Sequence, residues 1–148
     1  MAHLQAPTTL TPWEKAYLCD IFCACLQQWK AQKNEAELGG LTELAALEKV
    51  GARQPPPPGR FERQGCVENE LKQANHPAFQ PEKEYRVGSH RRFPDVSVFG
   101  PNGQLTSLVE MKFPGDDWQP GQKEDYKKIA KANNVKLVKL DENSCKCK

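Results

Sequence analysis

At 148 residues, with 38% hydrophobic and 27% charged positions, the chain is long enough to bury one core and too short for two large domains, and its composition is that of neither a disordered nor a membrane-embedded protein. No run approaches the roughly eighteen apolar residues of a spanning helix, and residues 1–10 lack a basic patch followed by an apolar run, so neither a membrane partner nor a secretory signal is expected. A net charge of +2 does not announce a nucleic-acid binder, yet between positions 83 and 139 eleven Lys and Arg stand against seven Asp and Glu.

Thr11-Pro12-Trp13-Glu14 opens a helix: Thr11 can cap, Pro12 suits the first helical position, and Glu14 completes a capping box. A stripe of Trp13, Tyr17, Ile21, Cys25 and Trp29, with Leu18, Phe22 and Leu26 beside it, extends that helix to about Lys33. Gly39-Gly40 breaks the pattern, and a second helix over 42–50 is predicted to end at Gly51, so residues 1–54 read as a helical hairpin. The prolines at 55–58 supply no amide donors, and residues 55–60 read as a linker. The six cysteines, at 19, 23, 25, 66, 145 and 147, lack the paired C-x-x-C spacing of structural zinc sites; buried or free thiols, disulfides and zinc all stay open.

Residues 61–148 carry an αβββαβ pattern. A helix is predicted over 66–75, a short strand over 84–87, strands over 94–99 and 104–113 joined by Gly100-Pro101-Asn102-Gly103, a helix from 118 or 119 to 133, and a closing strand over 136–140. The fold class is therefore α/β, a core preceded by the helical hairpin.

Phe93-Pro94-Asp95, fourteen residues, then Glu110-Met111-Lys112 has the form PD…ExK. Side chains alternate along a strand, so Glu110 and Lys112 share a face while Met111 points into the core. Two hard carboxylates on adjacent strands, Asp95 and Glu110, can share one Mg²⁺ or Mn²⁺, with the Met111 carbonyl as a further oxygen ligand. Lys112 beside such a cation suits hydrolysis of a phosphodiester.

The run from Val109 through Glu110, Met111, Lys112, Phe113, Pro114 and Asp116 to Trp118, and on to Gln122 and Tyr126, resembles the VRR-Nuc branch of the PD-(D/E)xK nucleases, with its E-V-K-G-P-x-D-x-L motif followed by a helix bearing Gln. The resemblance covers roughly residues 66–140 and implies a restriction-endonuclease-like fold. It departs at Met111, Phe113 and Trp118; Phe113 replaces a glycine beside the lysine, which bears on how closely a phosphate can approach. The family adds an acid from its first helix. At 100° per residue Glu70 is better aimed at the cleft than Glu68, so Glu70 joins the expected metal set. By resemblance Gln122 supports the site, Tyr126 packs in the core or turns its hydroxyl toward a phosphate, and Asp116 braces the loop. Arg91, Arg92, Lys123 and Lys127 can track DNA phosphates, and His90 is a lesser candidate for a general base.

The implied activity is a metal-dependent DNA endonuclease, possible substrates including branched duplexes. The chain also resembles antibacterial effectors of type VI secretion systems. That likeness implies loading from the producer's cytoplasm, action in the target cell's cytoplasm, and a cognate immunity protein over the cleft. A repair or phage nuclease, and a non-catalytic nucleic-acid-binding module, are the alternatives.

Overall fold

The computed structural model describes residues 6–50 and 60–148. The N-terminal box forms as the sequence dictates: the Thr11 amide and hydroxyl donate to Glu14 Oε1 at 2.8 and 2.9 Å, and the Glu14 amide donates back to Thr11 Oγ1 at 3.4 Å. From there α1 runs Pro12–Val50 without interruption. The hairpin expected from Gly39-Gly40 does not form. Glycine costs only about 1 kcal/mol each in a helix interior and, without a proline beside it, weakens a helix rather than ending it. The linker expected at 55–60 lies outside the described residues except for Arg60, where α2 (Arg60–Ala74) already begins.

The chain then forms β1 (Phe79–Pro81), β2 (Tyr85–Val87), β3 (His90–Arg92), β4 (Val96–Phe99), β5 (Leu105–Lys112), α3 (Gln122–Ala132), β6 (Lys136–Asp141) and a one-turn α4 (Glu142–Cys145). The main sheet has the order β1-β4-β5-β6, antiparallel except for the parallel β5/β6 pair that flanks α3. The αβββαβ pattern is therefore realised, with one correction. The first strand of the sheet is β1, which the sequence reading missed, whereas the strand expected at 84–87 is β2 and pairs with β3 in a separate two-stranded ribbon. β1 contains Pro81 and sits on a sheet edge, where a missing amide donor is tolerated.

Register sorts the sheet into two faces. Val96 lies opposite Val109 and Val109 opposite Val138, so Val96, Val98, Val109, Met111, Phe113 and Leu140 turn toward α1 and α2. There they bury against Leu18, Phe22, Leu26, Val67 and Leu71. The α1 stripe is thus part of the same core as the sheet, and Phe22 packs its ring 4.8 Å from that of Phe113. Even-numbered β5 residues face the other way, where Leu108 meets Tyr126, Ile129 and Ala130 of α3.

All six cysteines are paired: Cys19–Cys145, Cys23–Cys147 and Cys25–Cys66. Of the three chemistries the sequence left open, the structure has disulfides. Cys19 and Cys23 stand one helical turn apart on α1 and meet two cysteines two residues apart at the C-terminus, a double rung that ties the end of the chain to its first helix.

Candidate active site

The α3 face of the sheet brings the candidate residues together. Asp95 precedes Val96, the partner of Val109, and so comes opposite Glu110; Glu110 in turn is in register with Lys139, and Lys112 with Asp141. The contacts agree. Asp95 Oδ2 accepts from the Met111 amide at 2.7 Å and the Asp95 amide donates to Glu110 Oε1 at 3.3 Å. Lys112 Nζ donates to Glu110 Oε2 at 3.2 Å and to the Asp117 carbonyl at 3.2 Å, and it lies 4.6 Å from the centre of the Trp118 ring. Asp95, Glu110 and Lys112 are all buried, at 8%, 2% and 7% exposure, which is costly for three ionisable groups unless they are matched. Met111 is buried on the opposite face, as strand alternation requires.

Burial, then the neighbouring Glu110, drives the Asp95 carboxyl well above the ordinary carboxylate range, against the bond from the Met111 amide. Among the described residues Lys112 is the one cation paired with this couple. The donors are hard oxygens short of positive charge, and no set of three or more acids, histidines or cysteines among the described residues forms a ready cage. Two carboxylates with positions left for phosphate and water suit Mg²⁺ or Mn²⁺.

A cleft of about 220 Å³ opens over this pair, lined by Glu82, Arg91, Arg92, Phe93, Asp95, Glu110, Gln122 and Tyr126, while Lys112, bonded to Glu110, lines a neighbouring hollow instead. Gln122 and Tyr126 thus reach the same cleft from α3: Gln122 Nε2 donates to the Tyr126 hydroxyl at 3.2 Å, and Gln122 Oε1 accepts from the Gln119 amide at 3.0 Å. Burial and then the Glu110 charge raise the Tyr126 phenol, which stays protonated. Asp116 braces the turn, its carboxylate accepting from the Phe113 amide at 3.2 Å. The Phe113 ring lies in the core on the far side of the sheet, so replacing the family's glycine places no side chain between the cleft and a phosphate.

Not every expected residue arrives. Glu70 lines a groove between α1 and α2 with Gln28, Trp29 and Gln73, away from the Asp95–Glu110 cleft. Helix counting measured its angle from the α2 apolar face, but that face packs on α1 as well as on the sheet, so it does not point at the cleft. Glu68 is the α2 acid that bears on the site, paired to Lys72 at 2.6 Å and acting on Glu82. Lys123 and Lys127 line a different groove, beyond α3. His90 is not among the cleft residues; its Nδ1 meets Asp125 Oδ2 at 2.8 Å.

Two residues were missed. Glu82 lines the cleft, its amide donating to the Asp95 carbonyl at 3.4 Å, with φ 54°, a left-handed backbone that a non-glycine residue adopts only when its surroundings impose it. Burial, with Glu68 and Glu110 adding to it, raises its carboxyl to about 7. Pro81-Glu82-Lys83-Glu84 carries no motif that singles it out. Asp125, buried on α3, accepts from Arg92 Nε at 2.7 Å as well as meeting His90, and those bonds lower its carboxyl. It thereby fixes Arg92 at the cleft wall.

Residues 61–139, just over half of the chain, match the model of the VRR-NUC domain. Comparison with curated proteins and with solved structures gives no match.

Proposed function

From the premise that this chain belongs to the VRR-NUC domain family and is of nuclease type, we propose that it is a divalent-metal-dependent DNA endonuclease with Asp95, Glu110 and Lys112 at its centre. The observation that carries this reading is the Lys112 ammonium held 3.2 Å from a buried Glu110 that register sets opposite Asp95. Asp95 and Glu110, with the Met111 carbonyl, would hold Mg²⁺ or Mn²⁺; when bound, the cation supplies charge to the phosphate and acidifies water at neutral pH. Lys112, fixed by three contacts, orients the scissile phosphate and neutralises charge that grows on it as the bond breaks. Arg92, aimed by Asp125, and Arg91 bind the flanking phosphates, while Gln122 and the protonated Tyr126 offer neutral donors within the cleft. Glu82, when ionised, adds negative charge to the cleft, which raises the site's demand for a cation, whereas Glu68 is already paired with Lys72. Cleavage of plain and branched duplex DNA in Mg²⁺, in Mn²⁺ and in chelator tests the reading; cutting in metal and none in chelator supports it, and binding without cutting under every condition refutes it.

The biological setting we propose is that of a delivered antibacterial effector with a cognate immunity protein covering the cleft. Three disulfides fit a protein that leaves the cytosol, as a delivered effector does, because disulfides form and persist in oxidising compartments and are rare in proteins confined to the cytosol. No helix among the described residues is long and apolar enough to cross a membrane. Expression in a bacterial cytosol made oxidising enough for the three disulfides to form should arrest growth and damage DNA, and Glu110→Gln should abolish both; equal toxicity of parent and variant would remove this setting.

A further inference from the structure

A second concavity, of about 520 Å³, lies between α3 and β6, outside the cleft just described. Its floor is apolar, built from Ala130, Val135 and Leu137. Its rim is cationic: Lys123, Lys127 and Lys131, successive turns of α3, face Lys136 and Lys139 of β6. No Asp or Glu lines it. Among the described residues Lys139 alone of the five has an acidic partner, Asp141 at 3.6 Å. Of the two acids of α3, Asp125 is buried on the opposite side and held by Arg92, while Glu124 is exposed and does not line the concavity. At one end stands Trp118, half-buried, with Lys123 Nζ 5.9 Å from its ring centre. Trp118 and Lys139 also line the neighbouring hollow, which contains Lys112 together with Asp116, Asp117, Asp141 and Glu142, so the concavity adjoins Lys112 across an acidic stretch.

We propose that this concavity is a binding site for an unpaired nucleotide strand, its base against Trp118 and the apolar floor and its phosphates along the lysine rim. The class of ligand follows from shape and charge together. Five lysines without competing acids call for a polyanion. An apolar floor under an aromatic platform calls for a planar face, which every base has. A duplex keeps its bases stacked inside and offers only their edges, so it cannot put a base into a concave pocket; an unpaired strand can. Under the nuclease reading, on which this rests, a strand seated there would set the boundary between paired and unpaired DNA beside Lys112 and select branched or tailed substrates.

The test is fluorescence anisotropy of the full chain in chelator, where nothing is cut, with a single-stranded deoxythymidine oligonucleotide and with a blunt duplex as probes. Parent is compared with Lys131→Glu/Lys136→Glu, two exposed positions, and with Trp118→Leu, each checked by its melt. Expected is a loss of single-strand affinity of about tenfold or more in each variant, larger than the loss for duplex. A 5-iodouracil oligonucleotide should crosslink to Trp118 and not to the exposed Trp13. Equal losses on both probes, unchanged single-strand affinity in the lysine pair, or crosslinks only at Trp13 would overturn the assignment. Binding is read without catalysis, so an inactive parent that still shows the single-strand preference would sink the nuclease reading and leave this site standing.

Discussion

Asp125 and Glu82 separate what charge alone would do from what geometry does. Asp125 holds Arg92 at 2.7 Å, so Asp125→Asn raises the net charge yet releases the guanidinium from the cleft wall. DNA affinity is expected to fall about tenfold, near 1.4 kcal/mol and just under the usual worth of a hydrogen bond to a charged group; tighter binding, as net charge alone requires, would show that Asp125 does not position Arg92. Glu82 gives a pH effect. Its carboxyl lies at about 7 in the fold against an ordinary value of 4.5, so between these values the native state binds more protons than the unfolded one, and metal-free stability falls as pH rises through that window. The melting temperature in chelator should therefore drop from pH 5 to pH 7.5, Glu82→Gln should blunt the drop, and added Mn²⁺ should reverse it; a flat profile for the parent would contradict the carboxylate repulsion described here. At this scale the sequence was informative where residue type and period agree. Asp95, Glu110 and Lys112 are legible because alternation places them on one face, and Gln122 and Tyr126 because one helical turn separates them. Glu82 and Asp125 are not, since each acts through partners distant in sequence, and the angle of Glu70 within its own helix does not say against which element that helix packs.

Among the elements, α1 departs most from its expected part. Its capping box was readable from four residues, but its role was not: the helix is a wall of the core, bonded through cysteines to α2 and to the chain's end. The Cys19–Cys145 and Cys23–Cys147 rungs together close one long loop and Cys25–Cys66 another, each closure contributing roughly 2–4 kcal/mol, a large share of the whole stability of a domain this size. Reduction should lower the melting temperature by more than about 15 °C, with Cys145→Ser/Cys147→Ser reproducing most of the shift; melts unchanged by reductant would mean that packing of Leu18, Phe22 and Leu26 suffices. The pairing was not readable from spacing alone, because six cysteines allow fifteen connectivities. The β2–β3 ribbon escaped for a related reason: local pattern shows that Tyr85 to Val87 is extended, and only tertiary packing decides which sheet an extended segment joins.

For the whole molecule, a modest net charge conceals a strong separation. Arg91 and Arg92 line the cleft with Asp95, Glu110 and Glu82, five lysines line the concavity between α3 and β6, and Asp116, Asp117, Asp141 and Glu142 line the hollow beside it. DNA binding should accordingly weaken steeply with salt, and a lysine-pair variant should show a shallower slope than the parent by about one to two counterions; identical slopes would place those lysines off the DNA path. Catalysis by Asp95, Glu110 and Lys112 is tested most directly by the rate of supercoiled plasmid cleavage in Mg²⁺, with parent beside Asp95→Asn, Glu110→Gln and Lys112→Met variants that melt as folded proteins. Cutting by the parent that stops in chelator and falls by about a hundredfold or more in each variant is the expected result. Cutting that persists in chelator, or that any of the three variants retains at the parent's rate, would contradict it.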